Sequence, residues 1–278
     1  MTAAVDVIEQ TRRSWNHATR NHNAHKGDQA QFLRTGGELL FDEELTLLGP
    51  LAGQRLVHMQ CNAGQDSLCL ARRGAIVTGV DLSDEAIAFA QQLAADTGIA
   101  ASFERSELVD WLHHTPARFD LAFSSYGAAG WLPDLAAWAK GIARVLVPGG
   151  RFVYVEFHPI IWSFDGDRLA KDDYFATQPF REPVTDYVAE SGAGLGVVAL
   201  APTTPNPHVA VSYQHTLSQV VTALVRAGLR LTTLEEYPYA NGYKALPMLQ
   251  CDAQRRWQFP AGMPRIPLMF GLAVEKAR

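Results

Sequence analysis

The sequence predicts an α/β fold in which a mostly parallel sheet is covered by helices on both faces. Between residues 55 and 157, short runs rich in Val, Ile, Leu or Phe alternate with helical patterns. This regular alternation is typical of parallel strands joined by crossover helices. The segment 84–97 carries clear helix signals, with Ser83 before its first turn and Gly98 just past its end.

The individual elements follow in chain order. Residues 1–35 read as polar and helical, with Trp15, Phe32 and Leu33 as anchors, and 40–49 as a second, amphipathic helix. Strands are predicted at 55–60, 75–81, 101–105, 119–125 and 150–157, and helices at 65–73, 84–97 and 134–146.

The alternation stops after residue 159. Residues 160–214 carry scattered aromatic residues, prolines and glycines, and a segment of that length is typical of a lid or binding loop. A helix follows at 217–228, with Ser218 at or near its N-cap, and then strands at 229–237 and 267–275. We therefore divide the chain into an N-terminal helical cap (1–40), a core (41–159), a lid-like insertion (160–215) and a C-terminal part of the core (216–278).

Composition limits the classes of function. The 278 residues are 47% hydrophobic and 19% charged, as in globular proteins, and a net charge of −5 disfavours nucleic acid as a partner. The three cysteines form no CxxC pair, so neither a zinc site nor a disulfide framework is indicated. No apolar run is long enough for a membrane span. We expect a cytoplasmic protein.

The loop after the first strand discriminates between ligands. In "HMQCNAGQD" (58–66), Gln60 and Asn62 stand where a dinucleotide site needs glycines for close approach of a pyrophosphate. Asp66 adds a carboxylate to the first turn of the next helix, where it would repel an anion. S-adenosylmethionine has no phosphate, and an acid at the end of the second strand, here Asp81, suits its ribose hydroxyls. The loop favours this sulfonium nucleoside.

Several segments in the right order resemble the class I S-adenosylmethionine-dependent methyltransferases that act on small molecules. They are "LVHMQCNAGQD" (56–66), "GVDLS" (79–83), "FERSELVD" (103–110), "FDLAFSSYG" (119–127) and "ARVLVPGGRFVYVEFHP" (143–159). The resemblance covers roughly residues 50–160. It implies a Rossmann-like, doubly wound sheet of seven strands, mostly parallel, with an antiparallel last strand. His58 departs from the acid usual at its position.

The resemblance also implies the cofactor contacts. The loop would hold the methionine part, the end of the second strand the ribose, the third strand the adenine, and the fourth strand the sulfonium end, while the N-terminal helix would close over the site. The implied cofactor-binding residues are Gln60, Cys61, Asn62, Gly64, Asp81, Leu82, Ser106, Glu107, Ser124, Ser125, Trp15 and Arg20.

Methyl transfer is a displacement on an activated carbon, so positioning supplies much of the acceleration, on the order of 7–11 kcal/mol. A general base is needed only for an acceptor that arrives protonated. His158, directly after the fifth strand, is the first candidate for that base, and a purely structural histidine is the alternative. Tyr126 is the second candidate. Glu156 would orient His158 or enter the pocket itself.

The N-terminal segment contains three histidines, His17, His22 and His25, which raises the question of a metal site. No carboxylate or cysteine completes a ligand set at suitable spacing, and methyl transfer needs no metal, so no metal is predicted. The segment is then either a polar, solvated helix or a lid that contacts the cofactor.

The leading hypothesis is therefore methyl transfer from S-adenosylmethionine to nitrogen, oxygen or an activated carbon of a small-molecule acceptor. The alternatives are a methyltransferase-like protein that only binds or regulates, a tRNA or protein methyltransferase, and a nicotinamide oxidoreductase. "SSYG" (124–127) stands after the fourth strand, where enzymes that methylate a base amine carry an Asn-Pro-Pro-Tyr type sequence, and this weakens the nucleic acid alternative.

Overall fold

A computed structural model of the chain describes residues 2–165, 168–169, 172–192 and 203–278. The helices are α1 (Thr2–Ala24), α2 (Gln29–Arg34), α3 (Asp42–Leu48), α4 (Gln65–Arg72), α5 (Asp84–Thr97), α6 (Leu108–His114), α7 (Leu135–Val145), α8 (Tyr187–Ser191) and α9 (Leu217–Arg226), with 3₁₀ turns at Ala129–Trp131 and Pro159–Ser163.

The strands of the central sheet are β1 (Arg55–Met59), β2 (Ile76–Asp81), β3 (Ser102–Arg105), β4 (Phe119–Ser125), β5 (Leu146–Phe157), β10 (Leu229–Tyr237) and β14 (Met269–Lys276). The minor strands are β6 (Phe164–Asp165), β7 (Arg168–Leu169), β8 (Phe180–Pro183), β9 (Val209–Ser212), β11 (Tyr239–Asn241), β12 (Gln250–Cys251) and β13 (Arg256–Gln258).

The central sheet has seven strands in the order β10-β14-β5-β4-β1-β2-β3. The β1–β2, β2–β3, β1–β4 and β4–β5 pairs are parallel, and β14 runs antiparallel to both β5 and β10. The predicted fold class is therefore confirmed. The strand order reverses between β1 and β4, and in open α/β sheets ligands bind at the carboxyl ends of the strands beside such a reversal.

Helices bury both faces of this sheet. β5 shows why, because Phe152 and Tyr154 point to one face while Val153 and Val155 point to the other, and all four are fully buried. One face packs against α3, α4 and α5, and the other packs against α6, α7 and α9. Removing apolar surface from water on both sides is the main stabilising contribution to this layered arrangement.

Local signals place most helix ends correctly. The Ser83 hydroxyl accepts a hydrogen bond from the Ala86 amide at the start of α5, and Gly98 ends that helix with a left-handed backbone. Ser218 lies near the cap of α9 and is not the cap itself, because Thr216 is the N-cap and forms a capping box with Gln219.

The predicted helical region 1–35 is two helices, because Gly27 adopts a positive φ of 37° and Asp28 caps a new helix. Leu33 is buried and Trp15 is half-buried. Phe32 is 42% exposed, so its prediction as an anchor is wrong. The physical reason is that its ring lies beside the backbone of Gly37 at the surface and not in the core.

The insertion packs against α1. Strands β8 and β9 form an antiparallel pair, and their backbone amides reach two hydroxyls of α1, since Val184 donates to Ser14 (3.0 Å) and Val211 donates to Thr11 (3.1 Å). Residues 238–266 contain a small sheet in the order β11-β13-β12 that the sequence pattern does not predict. Across the described residues, no helix combines the length and apolarity needed to cross a membrane.

Candidate active site

The loop between β1 and α4 keeps a glycine-type backbone with only one glycine. Gln60 and Asn62 have φ values of 53° and 48°, in the left-handed region that non-glycine residues rarely adopt, and Gly64 has a φ of 77°. Such strained positions persist where the surrounding structure fixes them, and they cluster at functional sites. The Asn62 side chain supports its own turn by accepting a hydrogen bond from the Ala63 amide (2.7 Å).

Gly64 is required by packing within the protein. A Cβ at this position would lie 2.6 Å from the Cβ of Ala90 and 2.9 Å from the ring of Phe103. The close approach of α4 to α5 and β3 is therefore its first role. Cys61 is also buried, its amide donates to the Val80 carbonyl (3.0 Å), and burial raises the pKa of its thiol. The loop is thus fixed against β2 before any ligand binds.

Asp81 connects the loop to the end of β2. One carboxylate oxygen accepts from the Asn62 amide (2.8 Å), and the other accepts from the Ser83 amide (2.8 Å). Burial raises the pKa of Asp81, while these amide hydrogen bonds act in the opposite direction. The carboxylate is thereby oriented at the carboxyl end of β2, and Leu82 follows it as a half-exposed residue.

The predicted adenine contacts lie beside Asp81. The Ser106 amide donates to the Asp81 carbonyl (2.9 Å), which places Ser106 next to the end of β2. The Glu107 carboxylate is the N-cap of α6 and accepts from the amides of Val109 (3.0 Å) and Asp110 (2.6 Å). Glu107 therefore already has a structural role as a helix cap.

The end of β4 adjoins the same loop. Ser124 is buried and its hydroxyl faces the Met59 carbonyl at 3.5 Å, and Ser125 is half-buried. The Gln60 side chain donates to the Ala128 carbonyl (3.0 Å), while its own side-chain oxygen has no hydrogen-bond partner within the described residues. An unsatisfied buried acceptor at this point is costly unless a ligand or water satisfies it.

Tyr126 belongs to a buried polar network that the sequence did not suggest. Its hydroxyl accepts from the Asn241 side chain (2.9 Å) and hydrogen bonds to Glu44. Asn241 also donates to Glu43 (3.1 Å), whose other oxygen accepts from Tyr239 (2.6 Å). Because these residues come from α3, β4 and β11, no local signal in the sequence brings them together.

Glu44 is the carboxyl of this network whose pKa changes through burial. Burial, reinforced by the nearby charge of Asp66, raises the pKa of Glu44 well above its ordinary value. Asp66 lies in the first turn of α4, where burial also raises its pKa and the neighbouring Lys26 opposes that shift. The network therefore places a carboxyl that holds its proton more tightly than usual beside the loop after β1.

His158 lies away from Tyr126. Its Nε2 atom is 3.1 Å from Glu236 on β10, and its Nδ1 atom accepts from the Ile160 amide (3.2 Å). Burial lowers the pKa of His158, and Glu236 opposes that shift. The imidazole neighbours Phe270 in the core on the α7 and α9 face, whereas Tyr126 packs against the core on the opposite face. The structure does not bring the two catalytic candidates together.

Glu156 organises the turn after β4. Its carboxylate accepts hydrogen bonds from the amides of Gly127 and Ala128 and from the Tyr154 hydroxyl (2.6 Å). The sequence left two roles open for Glu156, and one of them was to orient His158. These contacts do not include His158, so they do not support that role. Glu156 positions the backbone that the Gln60 side chain binds.

The N-terminal helix lies beside the loop between β1 and α4. Asn16 accepts from the Ser83 hydroxyl (2.7 Å) and donates to Asp84 (3.0 Å), and Arg20 pairs with Glu85 (2.8 Å) at the surface. Trp15 packs edge-on against Trp131, with ring centroids 5.3 Å apart. The helix thus crosses the N-terminus of α5 two residues from Asp81.

Two of the three N-terminal histidines are buried against the insertion. His22 hydrogen bonds to the Thr185 carbonyl (3.0 Å), and His25 contacts the Asp186 carboxylate (2.9 Å). The side chains of His22 and His25 are only 2% and 0% exposed, so these two residues do not lie on a solvated face of the helix. Within the described ranges, no group of three metal-ligating side chains is placed to hold an ion.

Known proteins resemble this chain in sequence. Residues 57–150 match the methyltransferase domain family. A ubiquinone biosynthesis O-methyltransferase of Xylella fastidiosa (strain 9a5c) is 37% identical over 102 residues, which is 37% of this chain and 41% of that protein. An uncharacterized methyltransferase of Synechocystis sp. is 32% identical over 135 residues, or 48% of this chain and 61% of the relative. The chain thus spans about two fifths to three fifths of these relatives.

Solved structures share most of this fold. A putative S-adenosylmethionine-dependent methyltransferase from Listeria monocytogenes superimposes with a TM-score of 0.59 at 17% identity, covering 85% of this chain and 96% of that one. One from Mesorhizobium loti gives a TM-score of 0.54 at 23% identity, covering 83% and 94%. With the strand order, these likenesses show that the chain has the fold of S-adenosylmethionine-dependent methyltransferases, and its residues 57–150 match a methyltransferase domain.

Proposed function

We propose that this protein binds S-adenosylmethionine at the β1 loop and transfers its methyl group to a small molecule. The observation that carries the proposal is the Asp81 carboxylate, which two backbone amides orient at the end of β2. A fixed carboxylate at this point suits the two ribose hydroxyls of a nucleoside. Asp66 in the first turn of α4 would repel a pyrophosphate but suits the ammonium group of the methionine part.

We assign the remaining cofactor contacts by segment. The methionine part would lie on the loop, the ribose on Asp81 and Leu82, the adenine beside Ser106 and Glu107, and the sulfonium end above Ser124 and Ser125. Trp15 and Arg20 would close over the site from α1. The loop members of this set are Gln60, Cys61, Asn62 and Gly64.

The chemical step is a displacement in which the acceptor attacks the methyl carbon. The bond between that carbon and sulfur breaks, and its electron pair stays on sulfur as a neutral thioether. If the acceptor arrives as a hydroxyl or an ammonium, it must also lose a proton. We assign this role to Tyr126, whose oxygen would take the acceptor's proton while its own hydroxyl proton passes along the Tyr126–Glu44 hydrogen bond to the ionised form of Glu44. His158 stays a prediction, with Glu236 as its only charged partner among the described contacts.

The names of related proteins support a small acceptor. One relative is a ubiquinone biosynthesis O-methyltransferase, and a structure of the same fold, at a TM-score of 0.51 and 14% identity, is a geranyl diphosphate C-methyltransferase from Streptomyces coelicolor A3(2). We therefore propose a small molecule as the partner of this chain. We also place it in the cytoplasm, because its three cysteines are free thiols and a reducing compartment maintains that state.

Titration calorimetry with S-adenosylmethionine and S-adenosylhomocysteine tests the proposal, with NADH as the competing ligand. Wild-type protein should bind the first two and not NADH. Asp81→Asn should weaken both by about tenfold or more, because hydrogen bonds to a charged group are lost. Asp110→Asn, a surface carboxylate on α6 that is 69% exposed, is the matched control and should bind normally.

Other outcomes would favour the alternatives. Binding of NADH in place of S-adenosylmethionine would identify an oxidoreductase, and no binding of either would remove the enzyme hypothesis. Unchanged affinity in Asp81→Asn would show that the ribose contact is misassigned. Tight cofactor binding without release of S-adenosylhomocysteine in a mixture of phenols, amines and activated methylene compounds would favour the non-catalytic alternative.

A further inference from the structure

Tyr187 connects the insertion to the β1 loop. It is the first residue of α8, and its hydroxyl lies within hydrogen-bonding reach of the Asn62 side chain and close to the Asp81 carboxylate. Asn62 and Asp81 are the residues that join the loop to the end of β2. The insertion therefore reaches the proposed ribose and methionine sites, and not only the region where an acceptor would bind.

The ring of Tyr187 is held by aromatic neighbours on two sides. Its centroid is 4.3 Å from that of His22 on α1 and 6.3 Å from that of Tyr243, which follows β11. Trp15 approaches it edge-on at 6.5 Å. Because the Tyr187 ring is packed between α1 and the segment after β11, it has little rotational freedom. Its hydroxyl is therefore oriented before a ligand binds.

The helix that carries Tyr187 is itself tied to α1. The Thr185 carbonyl binds His22, and Asp186 binds His25 while capping α8 through the Ala189 amide (3.2 Å). At the other end of α8, the Ser191 hydroxyl accepts from the Lys244 amide (3.3 Å). These contacts fix Tyr187 relative to both the N-terminal helix and the segment after β11.

We propose that Tyr187 is a cofactor-binding residue supplied by the insertion, with its hydroxyl contacting the ribose or methionine part of the bound nucleoside. The phenol ring covers the nucleoside and the hydroxyl completes a ring of polar groups with Asn62 and Asp81. This inference rests on the proposed function, because it assumes that S-adenosylmethionine binds at the β1 loop. It gives the insertion a direct share in cofactor affinity.

Calorimetric titration with S-adenosylhomocysteine measures that share. Tyr187→Phe keeps the packed ring and removes the hydroxyl, so we expect about a 3- to 10-fold loss of affinity, the effect of one hydrogen bond. Tyr187→Ala removes the ring as well and should lose more, about 10- to 100-fold. Tyr237→Phe is the matched control, because its hydroxyl donates to Glu235 on the outer strand β10 (2.9 Å), and its affinity should not change.

The outcomes separate this inference from the function it rests on. If the wild-type protein binds and both Tyr187 variants bind equally well, Tyr187 makes no contact with the nucleoside and only this inference is overturned. If the variants bind more tightly, Tyr187 occupies the space of the cofactor and the inference is also overturned. If the wild-type protein does not bind at all, the proposed function is overturned together with it.

Discussion

Gln60, Asn62 and Gly64 have the same left-handed backbone for different reasons. Asn62 stabilises its conformation through its own side chain, whereas Gln60 bonds to the Ala128 carbonyl of the neighbouring turn. Gly64 needs the absence of a side chain, because α5 and β3 lie against it. In a dinucleotide site such glycines admit a pyrophosphate, but here the surviving glycine is fixed by packing within the protein.

The packing around Gly64 predicts how one added methyl group at this position changes the stability of the protein. Gly64→Ala adds a left-handed alanine and a contact 2.6 Å from Ala90, so we expect it to lower the free energy of unfolding by about 2–4 kcal/mol. Gly98→Ala is the control, with a similar φ of 71° and no atom within 4 Å of the added carbon. It should cost about 1 kcal/mol. Equal losses in urea denaturation would show that backbone strain alone matters at Gly64.

At the scale of elements, side chains decide where strands and helices end and what they hold. Glu156 is the second-last residue of β5, and its carboxylate accepts hydrogen bonds from the amides of the turn after β4. The Ala128 carbonyl in that turn accepts a hydrogen bond from the Gln60 side chain of the β1 loop. A single buried carboxylate on β5 therefore determines the shape of the loop between β4 and α7, which lies next to the proposed sulfonium site.

The N-terminus of α9 provides a measurable case. The Thr216 hydroxyl accepts a hydrogen bond from the Gln219 amide (3.2 Å), and the Gln219 side-chain oxygen accepts one from the Thr216 amide (2.8 Å). Thr216→Ala should lower the free energy of unfolding by about 1 kcal/mol, the usual cost of losing an N-cap. Ser218→Ala, two residues later, should change it by less than about 0.5 kcal/mol. The reverse order in thermal or urea unfolding would make Ser218 the cap.

At the scale of the whole molecule, hydrogen bonds join the N-terminal helix to the insertion. Thr11, Ser14, His22 and His25 on α1 all contact backbone or side chains between residues 184 and 211. The same helix contacts Ser83 and Asp84 at the start of α5 through Asn16. The N-terminal helix therefore joins the insertion to the core beside Asp81.

Buried neutral histidines make the stability of this arrangement depend on pH. Burial lowers the pKa of His58 to about 3 and that of His22 to about 4, from an ordinary value of about 6.5. Below pH 6.5 the unfolded chain binds protons that the folded protein does not bind. Each residue therefore lowers the free energy of unfolding by about 1.4 kcal/mol per pH unit, down to its folded pKa.

The raised pKa values of Asp66 and Glu44 act in the opposite direction, so a comparison between variants is needed. His58→Gln should reduce the loss of stability between pH 7.5 and pH 5.5 by about 1.4 kcal/mol relative to wild type, measured by urea denaturation at both values. His114→Gln, whose side chain is 76% exposed, is the control and should leave the loss unchanged. An unaltered loss in His58→Gln would mean that His58 is protonated in the folded protein.

The sequence by itself determined the fold class, the strand and helix positions of the core, and the loop with Asp81 at the end of β2. These features follow from signals within a few residues, namely apolar periodicity, helix caps such as Ser83, and the composition of one turn. The order of motifs along residues 50–160 added the expected cofactor, since that order is a property of the chain itself.

Only the tertiary structure decided which residues surround the proposed site. Tyr126 meets Glu44 and Asn241, and Tyr187 meets Asn62, across separations of more than 80 residues. It also separated His158 from Tyr126, although both follow core strands, because their side chains lie on opposite faces of the sheet. Such contacts depend on how packed elements meet in space, and short-range sequence patterns carry no information about that packing.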